Sequence, residues 1–72
     1  MTGEEATAMI ATQGGVCAAC NEEPATQVDH DHKTGKVRGI LCDGCNGGIA
    51  LFDEDIALME RAVRYLSGEL EI

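Results

Sequence analysis

The sequence predicts a small α+β domain stapled by a metal ion. Two Cys-x-x-Cys pairs, Cys17–Cys20 and Cys42–Cys45, bracket two short β-prone runs, and helix-patterned segments lie on either side. Size is the other observation. The chain has 72 residues, with no Trp, one Tyr and one Phe, and a core this poor in large side chains needs a staple. Residues 1–72 read as a single domain.

Each element follows from local chemistry. Thr2-Gly3-Glu4-Glu5 has the form of a capping box, so a helix is expected from there to about Gln13, with Ala6, Met9 and Ile10 on one side. Gly14-Gly15 ends it, since Gly accepts the left-handed C′ conformation. Val16 to Cys20 reads as a turn and Asn21 to Thr26 as a loop holding Pro24. Gln27 to His30 and Val37 to Leu41 are the two candidate strands, joined by a turn over Asp31 to Lys36. Cys42 to Cys45 is expected to be a second tight turn, with a helix beginning at Asn46 and weakened by Gly47-Gly48. Asp53 has the chemistry of an N-cap for the last helix, supported by Glu54 and Asp55. In that helix Ile56, Met59, Val63 and Leu66 fall on one stripe, which reads as core-facing. Glu60 and Arg64 stand at i,i+4, and Ser67-Gly68 closes the element.

Charge and hydropathy exclude several classes. No apolar run approaches the ~20 residues of a membrane span. The start, Met1-Thr2-Gly3-Glu4-Glu5, is not that of a secretory signal. A cytoplasmic protein is therefore expected. The net charge of −8 argues against a phosphate binder at first sight. Yet the acid sits in the flanks: residues 1–28 and 47–72 carry −4 each, and residues 29–46 are neutral. Lys33, Lys36 and Arg38 lie within six positions of one another in that middle segment.

The cysteine spacing is the strongest signal. A two-residue gap lets both thiolates of a knuckle face one ion, and two knuckles close a tetrahedral S₄ site. Four soft ligands without an open position suit a structural zinc held by Cys17, Cys20, Cys42 and Cys45. Two disulfides would need an oxidising compartment. A thioredoxin-type pair would need a βαβ context, and an iron–sulfur cluster fits the symmetric spacing less well.

Between the knuckles lies Val28-Asp29-His30-Asp31-His32-Lys33, which holds both histidines of the protein. Imidazole is the side chain suited to take a proton near neutral pH. A carboxylate such as Asp29 can hold a hard cation. A base beside such a cation suits phosphodiester hydrolysis. On a regular strand, however, Asp29 and Asp31 would face away from His30 and His32, so a bend after His30 or ligands from elsewhere are required. Read by itself, the cluster also fits a polar hairpin turn, or a second zinc or adventitious metal site.

Gln13-Gly14-Gly15-Val16-Cys17-Ala18-Ala19-Cys20, Val28-Asp29-His30-Asp31-His32, Thr34-Gly35-Lys36-Val37-Arg38-Gly39-Ile40-Leu41-Cys42 and Cys45-Asn46 together resemble the phage recombination endonuclease VII family, over about residues 9–66. That family belongs to the His-Me finger, or HNH-like ββα-metal, nucleases. The resemblance implies a ββα-metal hairpin plus helix clasped by Cys₄ zinc, with flanking N- and C-terminal helices. It implies a DNA endonuclease that nicks or resolves branched DNA such as Holliday junctions, leaving 5′-phosphate and 3′-hydroxyl ends. By the same likeness Asp29 and Asn46 would hold a catalytic Mg²⁺ or Mn²⁺, and His30 would be the general base. His32 would contact the phosphate or assist, and Lys33, Lys36 and Arg38 would face the DNA backbone. The cell compartment implied is the host cytoplasm, and the partners are DNA and a second copy or a larger phage assembly. Three features depart from the family pattern. Ile49 stands where some members have an acidic residue, Gly47-Gly48 falls in the metal-bearing helix, and the long C-terminal region of the larger resolvases is missing from this sequence. The competing class is a non-catalytic zinc-binding interaction module.

Overall fold

The computed structural model describes residues 1–71. Helix α1 spans Gly3–Thr12 and starts at the expected capping box. The Thr2 hydroxyl accepts from the Glu5 N–H, and the Glu5 carboxylate accepts from the Thr2 N–H, both at 3.1 Å. At the other end the N–H of Gly14 bonds to the Ala11 carbonyl and that of Gly15 to Ile10. This is a Schellman closure, made possible by the left-handed φ of 71° at Gly14. Ala6, Met9 and Ile10 are half-buried, as the pattern predicts, and α1 packs on the second strand.

Strands β1 (Gln27–His30) and β2 (Val37–Leu41) form an antiparallel hairpin with the expected bounds. Asp29 pairs with Gly39, but His30 pairs with Val37. Arg38 is therefore an extra residue, and the bulge twists the strand end. Asp31 shapes the turn: its carboxylate accepts from the N–H groups of Lys33 and Thr34.

The Gln13 side chain braces the hairpin. Its carboxamide accepts from the Ile40 N–H at 2.9 Å and donates to the carbonyls of Ile40 and Val16, at 2.8 and 3.0 Å. It thus acts as a surrogate strand partner for β2. Gly39 permits this approach, because a Cβ there would lie 3.3 Å from the Ala18 side chain and 3.4 Å from Gln13. Ile40, Leu41 and Cys42 are consecutive buried residues, so both faces of β2 are covered. The core is a cluster of Cys17, Leu41 and Cys42, with Cys20, Cys45 and Ile49 packed against it.

Helix α2 spans Asp43–Leu51, three residues earlier than expected. The second knuckle is not a separate turn. Cys42 is the N-cap, and its sulfur accepts from the Cys45 N–H at 3.3 Å. Gly47-Gly48 does not interrupt the helix. Its first turn is tied to β1, since Thr26 and Gln27 both donate to the Asp43 carboxylate at 2.8 Å.

The segment after α2 corrects another expectation. Asp53 and Glu54 do not start the last helix; they end α2. The Asp53 N–H bonds to Ala50 and the Glu54 N–H to Ile49, a second Schellman closure, and both residues are left-handed, with φ of 54° and 56°. Helix α3 (Ile56–Leu66) takes Asp55 as its N-cap, whose carboxylate accepts from the Leu58 N–H. Its apolar stripe is not core. Ile56 is 72% exposed, Val63 61% and Leu66 82%. Only Met59 of the four is half-buried, beside Phe52 and Ala62. The ion pairs among the described residues all involve Arg38 or His32, so Glu60 and Arg64 stay apart.

Candidate functional site

The four cysteines converge. Each thiol offers its sulfur, and all four sulfurs lie within 4.8 Å of one another. The first knuckle is shaped by the N–H groups of Ala19 and Cys20, which point at the Cys17 sulfur from 3.3 and 3.5 Å. Burial pushes the Cys17 thiol up, but the N–H groups of Cys20, Cys42 and Ala19 outweigh it and pull it down to about 6. Cys45 is pushed up to about 12 by its hydrogen bond with Cys42 and by burial. The thiolate is the form that ligates metal. The thiols hold α2 against the first knuckle, so a metal here would tie the two ends of the hairpin together.

On the far side of α2 lies a cavity of about 380 Å³. Its polar lining is Asp29 from β1, His32 from the hairpin turn, Asn46 from α2, and Asp53 and Glu54 from the turn after α2. Three pieces of local structure bring these together. The bulge and the end of β1 at His30 break the alternation that would have turned Asp29 and His32 to opposite faces. The Thr26–Asp43–Gln27 bonds fix the first turn of α2, and Asn46 follows one turn later. The left-handed closure turns Glu54 back toward the hairpin.

Four side chains in this cleft form a chain of charge contacts. Arg38 donates Nε to one oxygen of Asp29 at 2.8 Å and Nη2 to the other at 3.0 Å. The same Nη2 reaches the His30 carbonyl and one oxygen of Glu54. The second oxygen of Glu54 lies 3.0 Å from Nδ1 of His32. The hydrogen bonds to Asp29 and then Glu54 raise the Arg38 pKa above its already high ordinary value.

The other expected site residues fall as follows. His30 is exposed at the end of β1 and does not line the cavity. Lys33 and Lys36 are exposed in the hairpin turn and at its base, and Lys33 borders an adjoining opening beside His32 and Glu54. Arg38 is committed to two carboxylates rather than free. Ile49 lines the cavity as an apolar wall. Sequence reasoning missed Glu54, Asp53 and Gln13. A carboxylate beside an expected helix start carried no sign that it folds back onto the hairpin.

Hard oxygen donors from Asp29, Asn46, Asp53 and Glu54 fit a divalent cation chemically. They are not gathered on one point, however. The four thiols are the only converged ligand group of His, Cys, Asp or Glu among the described residues. No helix among these residues is long and apolar enough to cross a membrane.

The family model for recombination endonuclease VII matches residues 1–68. The "Gene 59 protein" of Mycobacterium phage D29 is 44% identical over 71 residues, covering 92% of this chain and 43% of the relative. The protein of the same name from Mycobacterium phage L5 is 41% identical over the same shares. The chain therefore spans less than half the length of these curated relatives. No solved structure matches it. The family match over nearly all of the chain places this protein in the recombination endonuclease VII family.

Proposed function

We propose that the chain is a metal-dependent DNA endonuclease of the His-Me finger type, a reading that rests on one observation. Asp29, His32 and Asn46 come from a strand, a turn and a helix, yet they line one cavity. The four cysteines hold a structural zinc, and Asp29 and Asn46 hold Mg²⁺ or Mn²⁺. When bound, that cation supplies charge stabilisation to the phosphate and the leaving oxygen. A histidine of the Asp29–His32 segment takes the proton of the attacking water. By the family likeness His30, directly after Asp29, takes that role, and His32, which borders the cleft, contacts the phosphate or assists. Lys33 and Lys36 steer the DNA backbone, and Arg38 braces the carboxylates.

With acidic flanks on both sides, DNA binding is weak and steeply salt-dependent. Nicking of a duplex and cleavage of a branched junction both fit the exposed cleft. The assay is conversion of supercoiled plasmid to open circles by zinc-loaded protein with Mg²⁺ or Mn²⁺, with branched and linear DNA alongside. Conversion that stops on chelation of the added cation supports the reading; no conversion of any substrate overturns it.

A second reading is a non-catalytic zinc-stapled interaction module in a phage assembly. The occupation of both Asp29 oxygens by Arg38 and the uncovered face of α3 favour it. It predicts partner binding without any cleavage.

A further inference from the structure

We propose that Arg38 is a gate on the Asp29 carboxylate. In the free protein it closes both oxygens of Asp29, and it withdraws to Glu54 when a divalent cation takes its place there. The inference rests on the nuclease reading for the cation, and the experiment below separates the two.

The place of Arg38 in the strand leaves it free to move. It is the extra residue of the β2 bulge, between Val37, which pairs with His30, and Gly39, which pairs with Asp29. No residue of β1 stands opposite it, so cross-strand pairing does not fix its side chain. The side chain is 41% exposed, against 16% for Asp29 and 25% for Glu54. It is the mobile member of a group whose carboxylates are better enclosed.

Its hydrogen bonds divide unequally between two stations. Nε donates to Asp29 alone, at 2.8 Å. Nη2 donates to the other Asp29 oxygen at 3.0 Å, to the His30 carbonyl at 3.2 Å, and to Glu54. Release from Asp29 therefore strips Nε of its partner but leaves Nη2 with two. The charges divide the same way. Two carboxylates share one guanidinium, so one negative charge of the trio is unbalanced. A guanidinium does not lose its proton in a protein, so Asp29 is opened by a competing positive charge. With a cation on Asp29, like charges repel Arg38, and Glu54 alone balances it.

The cleft has room for both states. Asp29 and Glu54 line the cavity of about 380 Å³ that also holds Asn46. Arg38 lines the adjoining opening of about 390 Å³, beside Lys33, and Glu54 borders both spaces. Arg38 thus reaches Asp29 from the side and retreats along Glu54 without crossing the space in front of Asn46.

The test is a ¹⁵N spectrum of the arginine side chains of zinc-loaded protein, titrated with Mg²⁺ in mildly acidic buffer. Arg61 and Arg64, both exposed on α3, serve as the free reference. Without Mg²⁺ the Arg38 Nε–H should stand apart from these two and exchange slowly with water. Mg²⁺ should bring it to their position and exchange rate, while the Arg38 Nη2 protons stay slower than theirs. In Glu54→Ala, Mg²⁺ should free the Nη2 protons as well. In Asp29→Ala the Nε–H should be free from the start and insensitive to Mg²⁺. An Nε–H that stays bound in Mg²⁺, or Nη2 protons that are freed in the wild type as in Glu54→Ala, overturns the proposal. If the protein nicks plasmid while the Nε–H stays bound, the gate fails and the nuclease reading stands. If Mg²⁺ releases the Nε–H in a protein that cuts no DNA, the gate stands and the nuclease reading fails.

Discussion

Both carboxylate oxygens of Asp29 are held by the guanidinium of Arg38, Nε at 2.8 Å and Nη2 at 3.0 Å. A cation that binds Asp29 must therefore displace or share this pair. Replacing Arg38 removes a positive charge from the ligand. Mn²⁺ should bind zinc-loaded Arg38→Met severalfold more tightly than wild type in a calorimetric or EPR titration. Equal affinity would show that Asp29 does not ligate the cation.

Across 27 positions of sequence the Gln13 carboxamide accepts from the Ile40 N–H and donates to the Ile40 carbonyl, which also accepts from the Ala18 N–H. Gln13→Ala leaves the N–H of a buried residue unpaired. The expected loss is about 1–3 kcal/mol, read from urea unfolding of the zinc-loaded protein. Gln13→Glu should lose part of it, because a carboxylate accepts from the Ile40 N–H but donates to neither carbonyl. A change within about 0.5 kcal/mol for Gln13→Ala would contradict this role.

Asp53 occupies the C′ position that Gly fills after the other two helices. Asp53→Gly relieves the left-handed strain and should raise stability by about 1 kcal/mol. A loss of stability would mean that the Asp53 carboxylate makes a compensating contact.

Hydrogen bonds from Gln27 and Thr26 hold the Asp43 carboxyl below the usual carboxylate range. Its folded pKa is thus lower than its unfolded one. The stability it adds is complete above the unfolded value of about 4 and is lost as pH falls through the lower folded value. Acid also protonates the thiolate ligands and releases zinc. The diagnostic quantity is therefore the stability difference between wild type and Asp43→Asn. It should be constant from about pH 7 to 5 and shrink below about pH 4; a difference that does not change with pH would contradict the assignment.

The readable parts of this fold were those decided by short-range chemistry. The capping box at Thr2, the Gly14 closure and the bounds of both strands follow from a few adjacent residues. The four cysteines were readable because ligand spacing is itself local. The start of α2 was missed because its N-cap is a cysteine sulfur rather than a hydroxyl or carboxylate. Asp53 has the chemistry of a helix start, because acidic residues favour that position, and an Asp in a left-handed helix stop is rare. The α3 stripe has the same periodicity whether or not anything covers it. In the cleft, Asp29 and His32 could be named, but their meeting depends on a bulge at Arg38. The Glu54–His32 contact joins residues 22 positions apart, and neither side chain signals the other.

If Asp29, His30, His32 and Asn46 form one hydrolytic site, each is needed for cleavage and none for zinc. The most direct measurement is single-turnover nicking of supercoiled plasmid by zinc-loaded wild type, Asp29→Ala, Asn46→Ala, His32→Ala and His30→Ala, with bound zinc quantified in each. Wild type should nick in Mg²⁺ or Mn²⁺. Asp29→Ala, Asn46→Ala and His30→Ala should each lose about 10²-fold or more in rate with zinc content unchanged, and His32→Ala should lose rate as well. Nicking at the wild-type rate by all four variants, or by none of the five proteins, would contradict such a site.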